Sequence, residues 1–355
     1  MVHGHFNRTQ AFLRPLHNEG NSSSFTSDDA ADRSHPHPAA AARNGTGMIV
    51  RDRPSALRLF LVMRGSVMPN IWRSLLGTAL LAVAVTWTHG TLWGHKIAIG
   101  AIPFTLMGLP LAIFLGFRNN AAYDRYWEGR KQWGELVLRS RSLARQCLSL
   151  IEAGDTPDGA VRERMIRRAI AFAHALRHRL RRTDPAADIE PWIAPQEWER
   201  VRVLPNLPHA LMLEMGADLG HCLRERRLEP CLAPGIDATL SAMTGVAAAC
   251  ERIHGTPIPF SYSLLLHRTA YLYCVLLPFG LVDAIGDLTP LVTLLVAYTF
   301  FGLDALGDEI EEPFGTSDHD LPLDAICRTI EIDLRSALGD TKLPPPLLPV
   351  DYRLS

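Results

Sequence analysis

A chain of 355 residues with 36 basic and 37 acidic side chains has room for one large domain or two small ones and a net charge of −1. That balance gives no support for a nucleic-acid partner, which calls for a strongly basic face. The charges are segregated: four apolar blocks hold almost none, and the sequence between them is dense with them, the texture of an integral membrane protein.

Residues 1–47 are rich in Ser, Asn, Asp, His, Ala and Pro and have no sustained apolar period, so a disordered extension is expected. They lack the apolar core of a signal peptide. His3, His5, His35 and His37 have no suitably spaced Cys or carboxylate to complete a metal site. Residues 48–355 form the expected folded body, and Met48 fits a translational start.

The four apolar blocks predict spans at about 70–90, 97–118, 262–283 and 288–306. The second is charge-free from Ile97 to Phe117. Blocks three and four are short, and each alone also fits a buried helix. Orientation follows from the flanks. Residues 48–73 hold five arginines and one acid, and residues 117–145 hold seven basic residues and three acids. The connecting hairpins carry one lysine in "THGTLWGHK" and no basic residue in "DAIGDLTP". Positive flanks stay inside, so both termini and the long middle region are expected in the cytoplasm. Trp87, Trp93 and Tyr298 suit either interface anchoring or core packing.

The middle region, about 119–257, reads as helical, with 307–355 as a C-terminal segment. In "AVRERMIRRAIAFAHALRHRLRR" the face Met165, Ile166, Ala169, Phe172, Ala173 and Leu176 is apolar at helical spacing. The basic run Arg177 to Arg182 reads as a solvated helix face in preference to a lipid or anion contact. The fold class is therefore all-α: a four-span membrane protein with a large helical cytosolic region. Six isolated cysteines, with no CxxC pair, fit a reducing compartment or a lipid-facing position better than a disulfide framework.

Leu109, Ile113 and Phe117 are spaced by four, so each step advances about 40° and the three share one helix face. Gly108, Ala112 and Gly116 form a parallel stripe of small residues suited to close helix packing. Pro110 removes a backbone donor, and a bend is expected there. Periodicity alone leaves two readings: packing residues on an ordinary span, or apolar rings around a pore in an oligomer, which gate by dewetting.

Three long segments, "PLAIFLGFRNNAAYDRYWEGRKQWGEL", "IPFSYSLLLHRTAYLYCVLLPFGLVDAIG" and "GLDALGDEIEEPFGTSDHDLPLDAICRTIEIDL", resemble the bestrophins, particularly bacterial ones, in the family's order. The resemblance implies a homopentameric ion channel with one axial pore. It places Leu109, Ile113 and Phe117 in an apolar neck, with Leu109 where isoleucine is usual. It also implies a second, cytosolic constriction, for which Cys231 after Glu229-Pro230 is the matching position; a buried core cysteine is the other reading. Animal members hold calcium on an acidic run after Pro-Phe-Gly. Here only Asp318 and Asp320 remain after Pro313-Phe314-Gly315, too few carboxylates for a calcium site.

The acidic run 308–313 reads as a solvated helix end before a hinge or subunit contact, and His267 with Arg268 as an interfacial pair. Expected partners are other copies of the chain, membrane lipid and permeating monovalent ions, chloride by the family's name, with a cation-selective channel as the alternative. A transporter is the less favoured class, because no internal repeat is evident. No cofactor is expected. An enzyme comes last, since GxSxG, HExxH and P-loop patterns are all lacking.

Overall fold

The computed structural model describes residues 47–50, 65–92, 95–96, 99–153 and 161–355. Residues 1–46 with their five histidines, Trp93 and the first residues of the second apolar block lie outside the described residues.

Helix α1 (Met68–Trp87) opens on Pro69 in its first turn, where a missing N–H costs nothing. Helix α2 (Ala101–Leu150) runs unbroken through Pro110 and far past Phe117, so the predicted second span is only the first part of a 50-residue helix. Helices α3 (Val161–Arg181), α4 (Ala186–Ile189), α5 (Pro195–Val201), α6 (Leu207–Arg224) and α7 (Ala233–Gly255) follow. Helix α8 (Phe260–Ile285) turns through Gly286–Leu288 into α9 (Thr289–Glu311), and α10 (Leu323–Ala337) closes the helical series. Among the described residues three stretches are long and apolar enough to cross a membrane: Met68–Trp87, Ile102–Leu150, and Phe260–Glu311, which contains both α8 and α9.

Two two-residue pairings supplement the helices. Strands β2 (Thr91–Leu92) and β3 (His95–Lys96) form a hairpin, and β1 (Met48–Ile49) pairs antiparallel with β4 (Arg353–Leu354), tying the start of the folded body to its end. Two residues are too few for the alternation that reveals a strand in sequence.

The buried residues form two clusters, and α2 contributes to both. Near its start Phe104, Leu111 and Leu115 pack with Ile71 and Leu75 of α1, Leu266, Ala270 and Cys274 of α8, and Phe300 and Phe301 of α9. Further along, Trp133, Leu136, Leu143 and Cys147 join α3, α6, α7 and α10. The anticipated α3 face is fully buried, but so are Ile170, Ala171, Arg168, His174 and Arg177 on the other sides. Helix α3 is thus a central helix whose polar groups are paired inside. Arg168 makes a bidentate pair with Glu197 (2.7 and 2.8 Å) and also meets Asp218, which takes Arg164 at 2.7 Å.

His174 is the exception, with neither ring nitrogen partnered among the described residues. Burial, reinforced by Arg177, lowers its pKa from 6.5 to about 4. A depressed histidine contributes stability that is whole above pH 6.5 and lost as the pH falls toward 4. Between pH 7 and pH 5 this loss is about 2 kcal/mol. Acid destabilisation measured as the unfolding midpoint at the two pH values is therefore expected to shrink in His174→Leu. An identical pH dependence in wild type and variant would refute the assignment.

Candidate functional site

The first turns of α2 present two different faces. Phe104, Leu111 and Leu115 point into the helix cluster. Leu109, Ile113 and Phe117 point out of it, 67%, 46% and 58% exposed. An unbroken apolar face is therefore uncovered in the single subunit. The small residues beside it divide. Gly108 is pressed by Tyr273, whose hydroxyl would lie 2.9 Å from an added Cβ, so this glycine permits the approach of α8. Ala112 is exposed, and an added Cβ at Gly116 would meet nothing within 4 Å. Tyr262 donates to the carbonyl of Phe114 at 3.1 Å, a second tie between α8 and this part of α2.

Immediately after Phe117 comes Arg118, only 2% exposed. Its Nη1 donates to Asp304 Oδ1 at 2.8 Å and to the Asp304 carbonyl at 3.3 Å, while Nη2 meets Asp308. Asp304 takes His267 Nδ1 on its other oxygen at 2.6 Å. His267 in turn lies tilted against Tyr271, and Tyr271 stacks on Phe301, with ring centroids 4.4 Å apart in each case. Asn119 Nδ2 donates to the Leu303 carbonyl at 3.0 Å. Gly307 makes this crossing feasible, since an added Cβ there would lie 2.5 Å from Asn119 Oδ1 and 3.4 Å from Arg118. The sequence reading missed Arg118 and Asp304. The available signal was an arginine at the end of an apolar block and an aspartate inside another, since intramembrane charges are retained when paired.

Two solvated readings are corrected here. In the acidic run, Glu309 accepts from Asn70 (2.6 Å) and faces His319 (3.0 Å), while Glu311 accepts the Ile258 backbone N–H (2.9 Å). The Glu309 carboxylate, as acceptor for the ring, holds the His319 pKa above its usual value. In the basic run, Arg177 pairs with Asp188 and, at 2.7 Å, with Asp324; Arg181 also holds Asp324 at 2.7 Å and reaches the carbonyls of Phe314 and Gly315. Partners distant in sequence made these charges internal. His267 is likewise bound into the Arg118–Asp304 network, more than an interfacial side chain.

Asp318 is engaged by Arg353 at 3.0 Å, and its carbonyl accepts from Ile49 at 2.9 Å. Buried Asp320 accepts the Ser317 N–H at 2.5 Å, and desolvation raises its pKa. Among the described residues no group of three or more His, Cys, Asp or Glu side chains is placed to hold a metal ion. Cys231 is exposed just ahead of α7, which removes the buried-core reading. The other five cysteines are buried, and burial pushes the thiols of Cys147, Cys250 and Cys327 up to about 12, so they stay protonated and unreactive. Trp87 and Tyr298 are both exposed, in keeping with their anchoring reading.

The profile described as Bacterial/Fungal Bestrophin protein matches residues 48–336. The chain belongs to the bestrophin family. Among the curated relatives of this bestrophin, a voltage-dependent anion channel-forming protein of Mesorhizobium japonicum is 45% identical over 313 residues, covering 87% of this chain and 97% of its own length. A protein described in the same words from Escherichia coli K12 is 41% identical over 302 residues, covering 85% and 98%. A crystal structure of a bacterial bestrophin homolog from Klebsiella pneumoniae superposes with a TM-score of 0.71 at 35% identity and covers 77% of this chain and 100% of that one.

Proposed function

We propose that this bestrophin is the subunit of a homopentameric channel that passes monovalent anions passively along an axial pore. Its four spans are α1, the first part of α2, α8 and α9, with both termini and the helical region 119–257 on the cytoplasmic side of a bacterial inner membrane. The observation that carries the reading is the uncovered apolar face of α2. Leu109, Ile113 and Phe117 stay exposed while Leu111 and Leu115 between them are buried. Repeated around an axis, the three become stacked rings that form a dewetting neck. Ala112 and Gly116, open in the subunit, then suit contact with a neighbouring copy. Cys231, exposed between α6 and α7, supplies the second ring. Anion preference follows the descriptions of the relatives above.

A cation-selective channel is the second reading, and Asp124 favours it. This residue is exposed and stands two helical turns beyond Phe117 on the same face. The reversal potential of the reconstituted channel in a potassium chloride gradient decides between the two. An anion channel reverses near the chloride equilibrium potential, and Asp124→Asn is expected to move the value further that way. Reversal near the potassium potential overturns the anion reading, and saturable uptake without channel currents overturns both.

A further inference from the structure

A cleft of about 270 Å³ lies among the end of α3, the end of α7 and the loop after α9, and the pore reading makes no use of it. Arginines dominate its lining, with Arg125 from α2 and Arg181 and Arg182 at the end of α3 beside the His254 ring from α7, against the single carboxylate of Glu312. These cations are poorly matched. Arg125 donates only to neutral carbonyls, Nε to Glu311 (3.2 Å), Nη2 to Ile253 (2.5 Å) and Nη1 to Thr256. The guanidinium is thereby fixed in place while its charge has no carboxylate partner among the described residues. Arg181 has one carboxylate, Asp324, and shares it with Arg177. Arg182 is exposed, and its side chain has no hydrogen bond or ion pair among the described residues. His254 Nε2 is shielded from solvent and has no hydrogen-bond partner among them, an uncommon condition for a buried polar atom.

A fixed positive charge, a free guanidinium and an unsatisfied ring nitrogen converge on one concave space. Guanidinium groups recognise oxyanions through paired N–H donors, and several donors from different elements suit a polyatomic acceptor better than a bare halide. We propose that this cleft binds a phosphate group, with Arg182 donating to its oxygens and Arg125 and Arg181 supplying the charge behind it. Glu312, exposed at the rim, opposes the ligand. Arg125 is eight residues past Phe117 on the same helix, so the site lies about 12 Å along α2 from the neck. Free phosphate or phosphomonoesters and the headgroups of acidic lipids are the two sources of such a group.

Calorimetric titration of inorganic phosphate into the full chain in detergent, at constant ionic strength, tests the site directly. Saturable binding at one site per chain is expected, weakened roughly tenfold or more by Arg182→Gln and tightened by Glu312→Gln. Arg182→Gly separates binding from folding. Arg182 occupies a left-handed backbone position (φ 54°) that glycine adopts without strain. The ligand-free unfolding midpoint is therefore expected to hold or rise while phosphate affinity falls; a purely structural role moves both together. Repeating the titration in phosphatidylcholine and phosphatidylglycerol nanodiscs identifies the source. Competition by the acidic lipid assigns a headgroup, and equal affinity assigns a free phosphate. Absence of saturable binding, or equal affinity in wild type and both Arg182 variants, overturns the site. No readout depends on conductance, so the pore reading is tested separately.

Discussion

Alanine at Ile113 or Phe117 is expected to raise the conductance or the open probability of the reconstituted channel, on the order of severalfold. A narrow apolar throat excludes water because its walls offer no hydrogen bonds, and an ion cannot leave its hydration shell to pass. In the proposed neck, removing side-chain volume from one ring widens the throat in every subunit at once, so the barrier to wetting falls steeply. The same substitutions are expected to change subunit stability by no more than about 0.5 kcal/mol, because these side chains are exposed and leave no cavity behind. Leu115 is the control. It stands two residues from Ile113 on the same helix but is fully buried, so Leu115→Ala is expected to cost about 2–5 kcal/mol in unfolding free energy without enlarging the throat. Single-channel recording together with thermal unfolding separates the two effects. Unchanged currents in folded Ile113→Ala and Phe117→Ala pentamers would remove the neck from this face.

The contrast between Ile113 and Leu115 also shows which parts of the molecule were legible in the sequence. A stripe at four-residue spacing is a property of one helix, so Leu109, Ile113 and Phe117 could be grouped from local sequence alone. The apolar blocks and the excess of arginine beside them are equally local. Long-range pairing is not. Arg177 and Arg181 meet Asp324 of α10, more than 140 residues away, and nothing in "RHRLRR" distinguishes a helix face turned to water from one turned to a buried carboxylate. Burial of α3 on nearly every side was hidden for the same reason. Arg168 reads as polar until Glu197 and Asp218 are placed around it. Length misled too: the apolar part of α2 ends at Phe117, but the helix continues because residues 118–150 carry a second apolar face for the other cluster.

The remaining large effect is expected at Arg118. Removing a guanidinium and a carboxylate from water carries a heavy desolvation penalty, and their attraction offsets it only while both are present. Arg118→Met leaves Asp304 buried with His267 as its remaining partner and strands the bond from α9 to α2 beside the neck. The expected loss is about 3–5 kcal/mol, measured by denaturant unfolding of the detergent-solubilised protein. Asp304→Asn is milder, because Arg118 keeps Asp308 and the Asp304 carbonyl, and an amide can still accept a hydrogen bond. Combining the two substitutions removes both charges, so the double variant is expected to be more stable than the sum of the single losses implies. Strict additivity, or a loss below about 1 kcal/mol in Arg118→Met, would show that the pair is not energetically coupled. A coupled pair has a consequence for conduction as well. Arg118 directly follows Phe117, so the bond to Asp304 fixes the rotation of α2 at the end of the apolar face. Loosening that rotation alters which side chains meet at the proposed pore axis, and the Asp304→Asn channel is accordingly expected to differ from wild type in open probability more than in reversal potential.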